Sequence, residues 1–499
     1  MLAMSLPAIP GFYPDPSICR VGESYFIVNS TFQYLPGVPV HESTDLRTWR
    51  LVTNAFSRPE QLNLSEATSN AGIYAPTIRH HEGRFFIVAS DLLSAREGHL
   101  ILHAEAAAGP WSVPVRTPGA IGIDPDLFWD DGTCYLTWKG VSDTGLSGIL
   151  SSAIDPLTGE RLGEVRELWQ GTGVLTDAEG PHLYRRDGIY YCLLAEGGTT
   201  RTHSVTVARS QSLDGPWEAC PHNPVFTHRG TASSVQNVGH ADLIENADGT
   251  WTAVYLGVRP RGFVPKFHVN GRETFLADVQ WADGWPVFDD TREAAAFETG
   301  FVDAFDSAEL DGRWISHGGA QWSATRPTDG GRSIQPVAQN GHLPALSVRT
   351  RDEFWNIEAE ITGGGALQVH MDTNNWAEVA VADGTASVVL SSVGLRHTLA
   401  SVPVDAPVIA LQVGAQAWSP ATGFNSGPDQ LVFSIRTAHG QMEVARFDGR
   451  LLSTEVTAGF TGRVVGVRAL GESCVLRRFS YQPIAPSSDS EAAEDPFKA

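Results

Sequence analysis

Asp15, Asp124 and Glu179 stand in copies of one short phrase that the chain repeats. A carboxylate or polar residue sits beside a small apolar stretch, a Gly-bearing turn follows, and then an aromatic strand. The copies are Asp15-Pro-Ser-Ile before Gly22, Ala75-Pro-Thr-Ile before Gly83, Asp124-Pro-Asp-Leu before Gly132, Glu179-Gly-Pro-His-Leu before Gly188, and His240-Ala-Asp-Leu before Gly249. Three carboxylates in one cleft suit hydrolysis of a glycosidic bond. One acid protonates the leaving oxygen, and one carboxylate activates water or attacks directly. A third, held close, makes it harder for the acid to lose its proton. A lone Asp-Pro is an ordinary turn opener; recurrence at matching places is what points to catalysis.

Other residues near these phrases have two readings each. His240 suits a metal ion, an ordered water or a sugar hydroxyl. No His or carboxylate stands at a fixed short spacing from it, so no metal site is predicted and no cofactor is required; a divalent cation beside His240 stays open. Asp242 is expected to be a structural hydrogen-bonding residue. Arg272, in Asn270-Gly-Arg-Glu-Thr-Phe, offers a planar donor fork to hydroxyls or a carboxylate, or else makes a surface ion pair. Phe32 and Tyr74 either wall a sugar ring or pack in the core.

Such residues need a scaffold that brings distant positions together. The turn glycines 22, 83, 132, 188 and 249 give a repeat of 49 to 61 residues. Short strands and Gly turns at that period predict a propeller with one four-stranded blade per repeat, five blades in all. Inner strands then converge on one axis, so Asp15 and Glu179 face each other although 164 positions separate them. Asp15, Ala75, Asp124, Gly180 and His240 share one register relative to the following Leu or Ile. Glu179 is one position early, and in a strict strand that slip turns it away. A bulge or bend at Gly180-Pro181 is therefore required to aim it inward. Trp49, Trp111 and Trp217, in a second recurring phrase, are expected to pack between blades.

The repeats place a propeller domain at 8–290. A connecting segment spans 291–302. From 303 to 482 strands such as Asn356-Ile-Glu-Ala-Glu-Ile alternate apolar and polar residues, which predicts a β-sandwich and an all-β chain. The acidic stretch 483–499 is expected to be disordered.

Composition narrows the partners. The 499 residues carry a net charge of −22 with no basic run, so neither nucleic acid nor an anionic membrane is an expected partner. Gly 50, Pro 30 and Trp 14 favour turn-rich β structure. The five cysteines are odd in number and scattered, which predicts free, mostly buried thiols. The first residues lack a basic and then apolar leader, and no apolar run is long enough to span a bilayer; a cytoplasmic location is expected.

The motifs Gly11-Phe-Tyr-Pro-Asp-Pro-Ser, Ile123-Asp-Pro-Asp-Leu-Phe, Glu179-Gly-Pro-His-Leu-Tyr, Gly239-His-Ala-Asp-Leu and Gly271-Arg-Glu-Thr-Phe-Leu resemble those of glycoside hydrolase family 43, in the same order. The resemblance implies a five-bladed propeller followed by a concanavalin-like sandwich. It also implies an inverting β-xylosidase or α-L-arabinofuranosidase, with Asp15 as general base, Asp124 as pKa modulator and orienter, and Glu179 as general acid. His240 and Arg272 fall at the family's pocket floor and subsite wall, and Phe32 matches an aromatic lining the pocket. Tyr74 stands where members often have Trp, which bears on pocket shape. Phe424 is a candidate for the aromatic that the second domain lends to the rim in such relatives. The expected activity is exo-acting release of pentose units from small oligosaccharides, with the second domain roofing the funnel. Xylose versus arabinose preference and a homo-oligomeric state stay open. The rivals are a β-fructosidase, whose signatures are missing, and a catalytically silent sugar-binding propeller.

Overall fold

A computed structural model describes residues 6–292, 295, 297–338, 344–418 and 426–485. The chain forms two compact units. One comprises the residues up to Leu62, Ala71–Val258 and Glu273–Phe297; the other comprises Asn63–Asn70, Arg259–Arg272 and the residues from Glu298 on.

The first unit is a five-bladed propeller whose blades are four-stranded antiparallel sheets. Their innermost strands are Ser17–Val21, Ile73–His81, Ala120–Asp130, Glu179–Arg186 and Gln236–Glu245. Each innermost strand turns into its neighbour at one of the five repeat glycines. Those at 83, 132 and 188 follow Glu82, Asp131 and Asp187, and both residues of each turn have positive φ. That geometry matches the twist of the flanking strands, and Asp-Gly provides it at least strain.

The apolar cores lie between blades. One cluster joins Ile18, Ile27 and Trp49 of the first blade to Val254 and Leu276 of the fifth. Another joins Phe86 and Val88 of the second blade to Leu136 and Trp138 of the third. Similar clusters fill the third–fourth and fourth–fifth junctions. Trp49 and Trp111 are buried, and Trp217 packs half-buried against the third–fourth cluster. Each blade is continuous in sequence, so no exchanged strand locks the ring. Instead Ile9 and Thr274 form a two-way backbone bridge of 3.2 and 3.3 Å. The Gly11 amide also donates to Glu273 Oε1 at 2.8 Å.

The second unit is a β-sandwich built from one 12-stranded sheet folded on itself. Sequence alternation suggests separate strands at Asn356–Ile361 and Ala366–Met371. The structure has one strand, Phe354–Asp372, with register shifts at Glu360/Ile361 and Gly363/Gly365. Three glycines, 363 to 365, let it bend from one layer to the other. Its first half pairs with Val408–Gln416 and its second with Asn375–Ala382, while Val464–Ile484 follows it on the other side. Trp314, Trp355, Phe433 and Phe479 lie in the enclosed core.

Two stretches inside 8–290 cluster with this second unit, so the division between the units is not a single cut. In Asn63–Asn70, Asn70 Oδ1 accepts from the Phe460 amide at 2.8 Å. In Arg259–Arg272, His268 meets Glu455 at 2.7 Å and Arg261 donates to the Pro428 carbonyl at 3.0 Å. The strand Phe301–Asp303 pairs with the last strand, so sandwich structure starts two residues before the expected boundary. That last strand runs to Ile484, into the expected acidic tail. Residues 486–499 lie outside the described residues, as does Phe424.

All five cysteines are free and buried. Burial pushes the Cys19 thiol up to about 12. No described helix is long and apolar enough to cross a membrane.

Candidate active site

The five residues that share one register in the repeats, Asp15, Ala75, Asp124, Gly180 and His240, all have positive φ, between 35° and 59°. Pairing slips beside this point in four blades: between Tyr74 and Thr77, Ile123 and Asp126, Glu179 and His182, and Gly239 and Asp242. Four of the five residues precede a proline, which has no N–H to lose from the ladder. Each innermost strand thus carries the same kink, and the bulge required to re-aim Glu179 is one of a set.

Gly180 meets two demands at its kink. Its φ is +59°, and an added Cβ would lie 3.3 Å from the His240 ring. Its amide donates to Asp124 Oδ2 at 3.0 Å. Asp124, the backbone beside Glu179, and His240 are therefore one cluster. Asp124 and His240 are buried, while Glu179 is half-buried. The His240 ring also meets His182 edge-on, with centroids 6.5 Å apart.

Asp15 is held from a different side. Ser30 Oγ donates to Asp15 Oδ2 at 2.6 Å and accepts from the Ala75 amide at 2.6 Å. One hydroxyl thus ties the first blade's carboxylate to the second blade's kink. Asn29 anchors the approach to Asp15, donating to the Tyr13 and Pro14 carbonyls at 2.9 and 3.1 Å. Phe32 and Tyr74 meet edge-to-face at 4.8 Å; Phe32 has no exposed surface and Tyr74 is half-buried. Arg272 belongs to the second unit, where its guanidinium lies over the Phe460 ring at 5.3 Å.

A second polar layer lies two to four residues further along the same strands. Arg79 is 2.8 Å from Asp126 and 2.7 Å from Asp242. Asp242 also accepts from Ser17 Oγ at 2.7 Å, the Ile18 amide at 3.1 Å and Tyr184 Oη at 2.6 Å. Asp126 accepts from the Leu183 amide at 3.2 Å, and His182 Nδ1 is 3.1 Å from Arg79. One ion network therefore crosses all five innermost strands, and Asp242 is the structural hydrogen-bonding residue expected of it. Burial alone would raise the Asp242 carboxyl, but Arg79, then His182 and the Tyr184 hydroxyl, hold it well below the usual range. Burial likewise opposes the charge on Arg79, yet Asp126 and Asp242 keep it protonated. The sequence carried a signal for this layer. The residue before each conserved-register Leu or Ile is polar in every copy: Ser17, Thr77, Asp126, His182 and Asp242.

Among the described residues, no group of three or more His, Cys, Asp or Glu is arranged to hold a metal ion. The chemistry on offer is that of carboxylates fixed by backbone kinks above a rigid ionic layer, suited to general acid–base work on a neutral substrate.

A five-bladed propeller with carboxylates at its axial kinks and a following sandwich defines a class of carbohydrate-cleaving enzymes. The sequence profile described as glycosyl hydrolases family 43 matches residues 4–286, and the chain belongs to that family. It is 33% identical over 503 aligned positions to a non-reducing end alpha-L-arabinofuranosidase of Bacteroides ovatus, covering 93% of this chain and 91% of that protein. It is 44% identical to a xylosidase/arabinosidase of Butyrivibrio fibrisolvens over 301 positions, 58% of this chain and 56% of the relative. A solved xylan beta-1,4-xylosidase from Bacillus halodurans superposes with a TM-score of 0.84 at 26% identity, over 96% of this chain and all of the other.

Proposed function

We propose that this chain is an exo-acting, inverting glycosidase that releases single xylose or arabinofuranose units from short oligosaccharides. The observation that carries the reading is the placement of Asp15 and Asp124 on matching kinks, with Glu179 beside the kink whose amide Asp124 holds. The relatives named as xylosidases and arabinofuranosidases supply the pentose.

In this reading Asp15 takes a proton from water as the water oxygen attacks the anomeric carbon. Glu179 gives its proton to the leaving oxygen as the glycosidic bond breaks. Asp124 orients the Glu179 segment and, as a neighbouring negative charge, keeps the acid protonated. Water is the only co-reactant, so the reaction needs no cofactor. His240 lies against the Glu179 segment and is assigned to sugar hydroxyls, with Tyr74 beside them.

The test is paired initial rates on p-nitrophenyl β-D-xylopyranoside and p-nitrophenyl α-L-arabinofuranoside, with Asp15→Ala and Glu179→Gln beside the parent. Turnover of either substrate that falls by about 10²–10⁴-fold in the variants supports the assignment. No turnover by a folded parent transfers the reading to a sugar-binding propeller.

A further inference from the structure

The sandwich unit carries a cleft of about 420 Å³ on the outer face of its sheet. Five neighbouring strands cross it: Gly440–Asp448, Gln430–Thr437, Val408–Gln416, Phe354–Asp372 and Val464–Ile484. Alternate residues of these strands, such as Ile357, Val413, Phe433 and Phe479, fill the core on the opposite face. Apart from Ile357 and Val413, which also border it, the cleft is made by the outward set.

Its floor is Gly414 with the buried Ser434 and Ser480. Gly414 is in mid-strand and is not among the residues with positive φ, so the backbone does not demand glycine there. Glycine inside a strand weakens it and often marks close approach of a ligand or another chain. Here the space above Gly414 is taken by the amide of its pairing partner: an added Cβ would lie 2.3 Å from Asn356 Oδ1.

The walls are unusual in chemistry. Five carboxamides line the cleft, from Asn356, Gln412, Gln416, Gln441 and Gln482. The charged lining residues are one carboxylate, Glu358, and one guanidinium, Arg478, so the cleft is formally neutral on a chain of net charge −22. Glu358 is fixed rather than loose. Arg436 donates to it at 2.9 and 2.8 Å, and Gln412 Nε2 at 2.6 Å. Carboxamides both donate and accept, as sugar hydroxyls do. A cation or an anion would find no net charge to answer its own. A neutral polyhydroxyl chain would find paired donors and acceptors in a groove open to solvent.

We infer that this cleft is a second carbohydrate site, formed by the sandwich unit's own strands, that holds a neutral pentose oligosaccharide. The identity of the sugar as a pentose rests on the activity proposed above; the site itself rests on the cleft. Hydrogen bonds without an aromatic platform give modest affinity, useful for retaining an oligosaccharide between turnovers.

The experiment titrates full-length Glu179→Gln protein calorimetrically with xylotetraose and, separately, with α-1,5-arabinotetraose. The same background then carries Gly414→Val, which fills the floor, or the exposed triple change Asn356→Ala, Gln441→Ala and Gln482→Ala. Hydrolysis of aryl pentosides by otherwise wild-type protein with these cleft changes serves as the folding control and is expected to stay unchanged. The expected result is a binding event, additional to that at the propeller's carboxylates, that weakens by about tenfold or more in both cleft variants, as losing one or two hydrogen bonds would do. Identical isotherms in the presence and absence of the cleft changes, or no binding of either tetrasaccharide by the parent, would overturn the inference. Failure of the activity reading has a separate sign, turnover that survives Glu179→Gln.

Discussion

The Asp124 carboxylate accepts a 3.0 Å hydrogen bond from the amide of Gly180, the residue directly after Glu179. Two carboxyl groups from adjacent blades are thereby coupled through backbone rather than through side chains alone. In the proposed mechanism Asp124 acts on where Glu179 points as well as on its charge. Replacing Asp124 with Asn keeps the shape, and its amide oxygen can still accept, but the negative charge is lost. The expected result is a kcat lowered by about 10²-fold or more with KM and Tm little changed. The alkaline limb of the rate profile should move to lower pH, because the acid loses a repelling neighbour. Steady-state kinetics across pH checks this, and an unmoved alkaline limb would leave Asp124 a merely structural partner.

Gly180 should not tolerate a side chain. Alanine there must adopt φ near +59° and approach the His240 ring at 3.3 Å. The backbone strain costs about 1–2 kcal/mol, and the ring must shift by a few tenths of an ångström. Gly180→Ala is expected to lower both Tm and kcat, whereas alanine at Gly188, the turn of the same blade where φ is +79° and nothing lies within 4 Å of an added Cβ, should spare kcat. Differential scanning calorimetry and initial rates measure both.

The Arg79 network is the structural keystone of the propeller axis. Removing one partner leaves a buried charge uncompensated, at a cost of about 3–5 kcal/mol. Arg79→Met and Asp242→Asn should each destabilise strongly, and the double variant should be less destabilised than the sum. The pH dependence has a definite sign. The Asp242 carboxyl titrates lower in the folded state than in the unfolded chain. Its stabilisation is therefore complete above about pH 4 and is lost progressively below that. Unfolding curves between pH 5 and pH 2 should be flatter in Asp242→Asn than in the parent.

His99 gives a second, separable pH term. Its ring is buried in the second blade, 3.3 Å from Ser90 Oγ, and burial pushes its pKa down to about 3, with Arg116 adding to the effect. The unfolded chain binds a proton below about pH 6.5 that the folded state does not. Stability should therefore fall as pH drops from 6.5 towards 3, by about 1.4 kcal/mol per pH unit. His99→Gln should remove that slope, measured as the difference between parent and variant unfolding midpoints at pH 7, 6 and 5. Parallel curves would contradict it.

The propeller was legible because its turns and inner strands repeat in chain order. The turn glycines, the carboxylates and the need for a bulge at Gly180 all follow from comparing one copy with the next. Arg79 is not legible in the repeat, which marks Thr77 at the matching place, because Arg79 reaches the axial layer from two residues further on. Ser30 is not legible either, because its two hydrogen bonds join different blades, which local sequence does not display. The second unit is less legible. Its strands run through glycines 363 to 365 where alternation suggests a break. Asn63–Asn70 and Arg259–Arg272 belong to it although they lie within the propeller's stretch of sequence. Long-range packing decides such placements, and no periodicity records it.

The most direct test of the account is the anomeric configuration of the sugar first released, followed by proton NMR during hydrolysis of p-nitrophenyl β-D-xylopyranoside or p-nitrophenyl α-L-arabinofuranoside. Asp15 as base on a water opposite Glu179 predicts inversion: α-xylose, or β-arabinofuranose, before mutarotation. First appearance of the anomer with the substrate's own configuration would mean a carboxylate nucleophile and a covalent intermediate, and would contradict the roles assigned to Asp15 and Glu179.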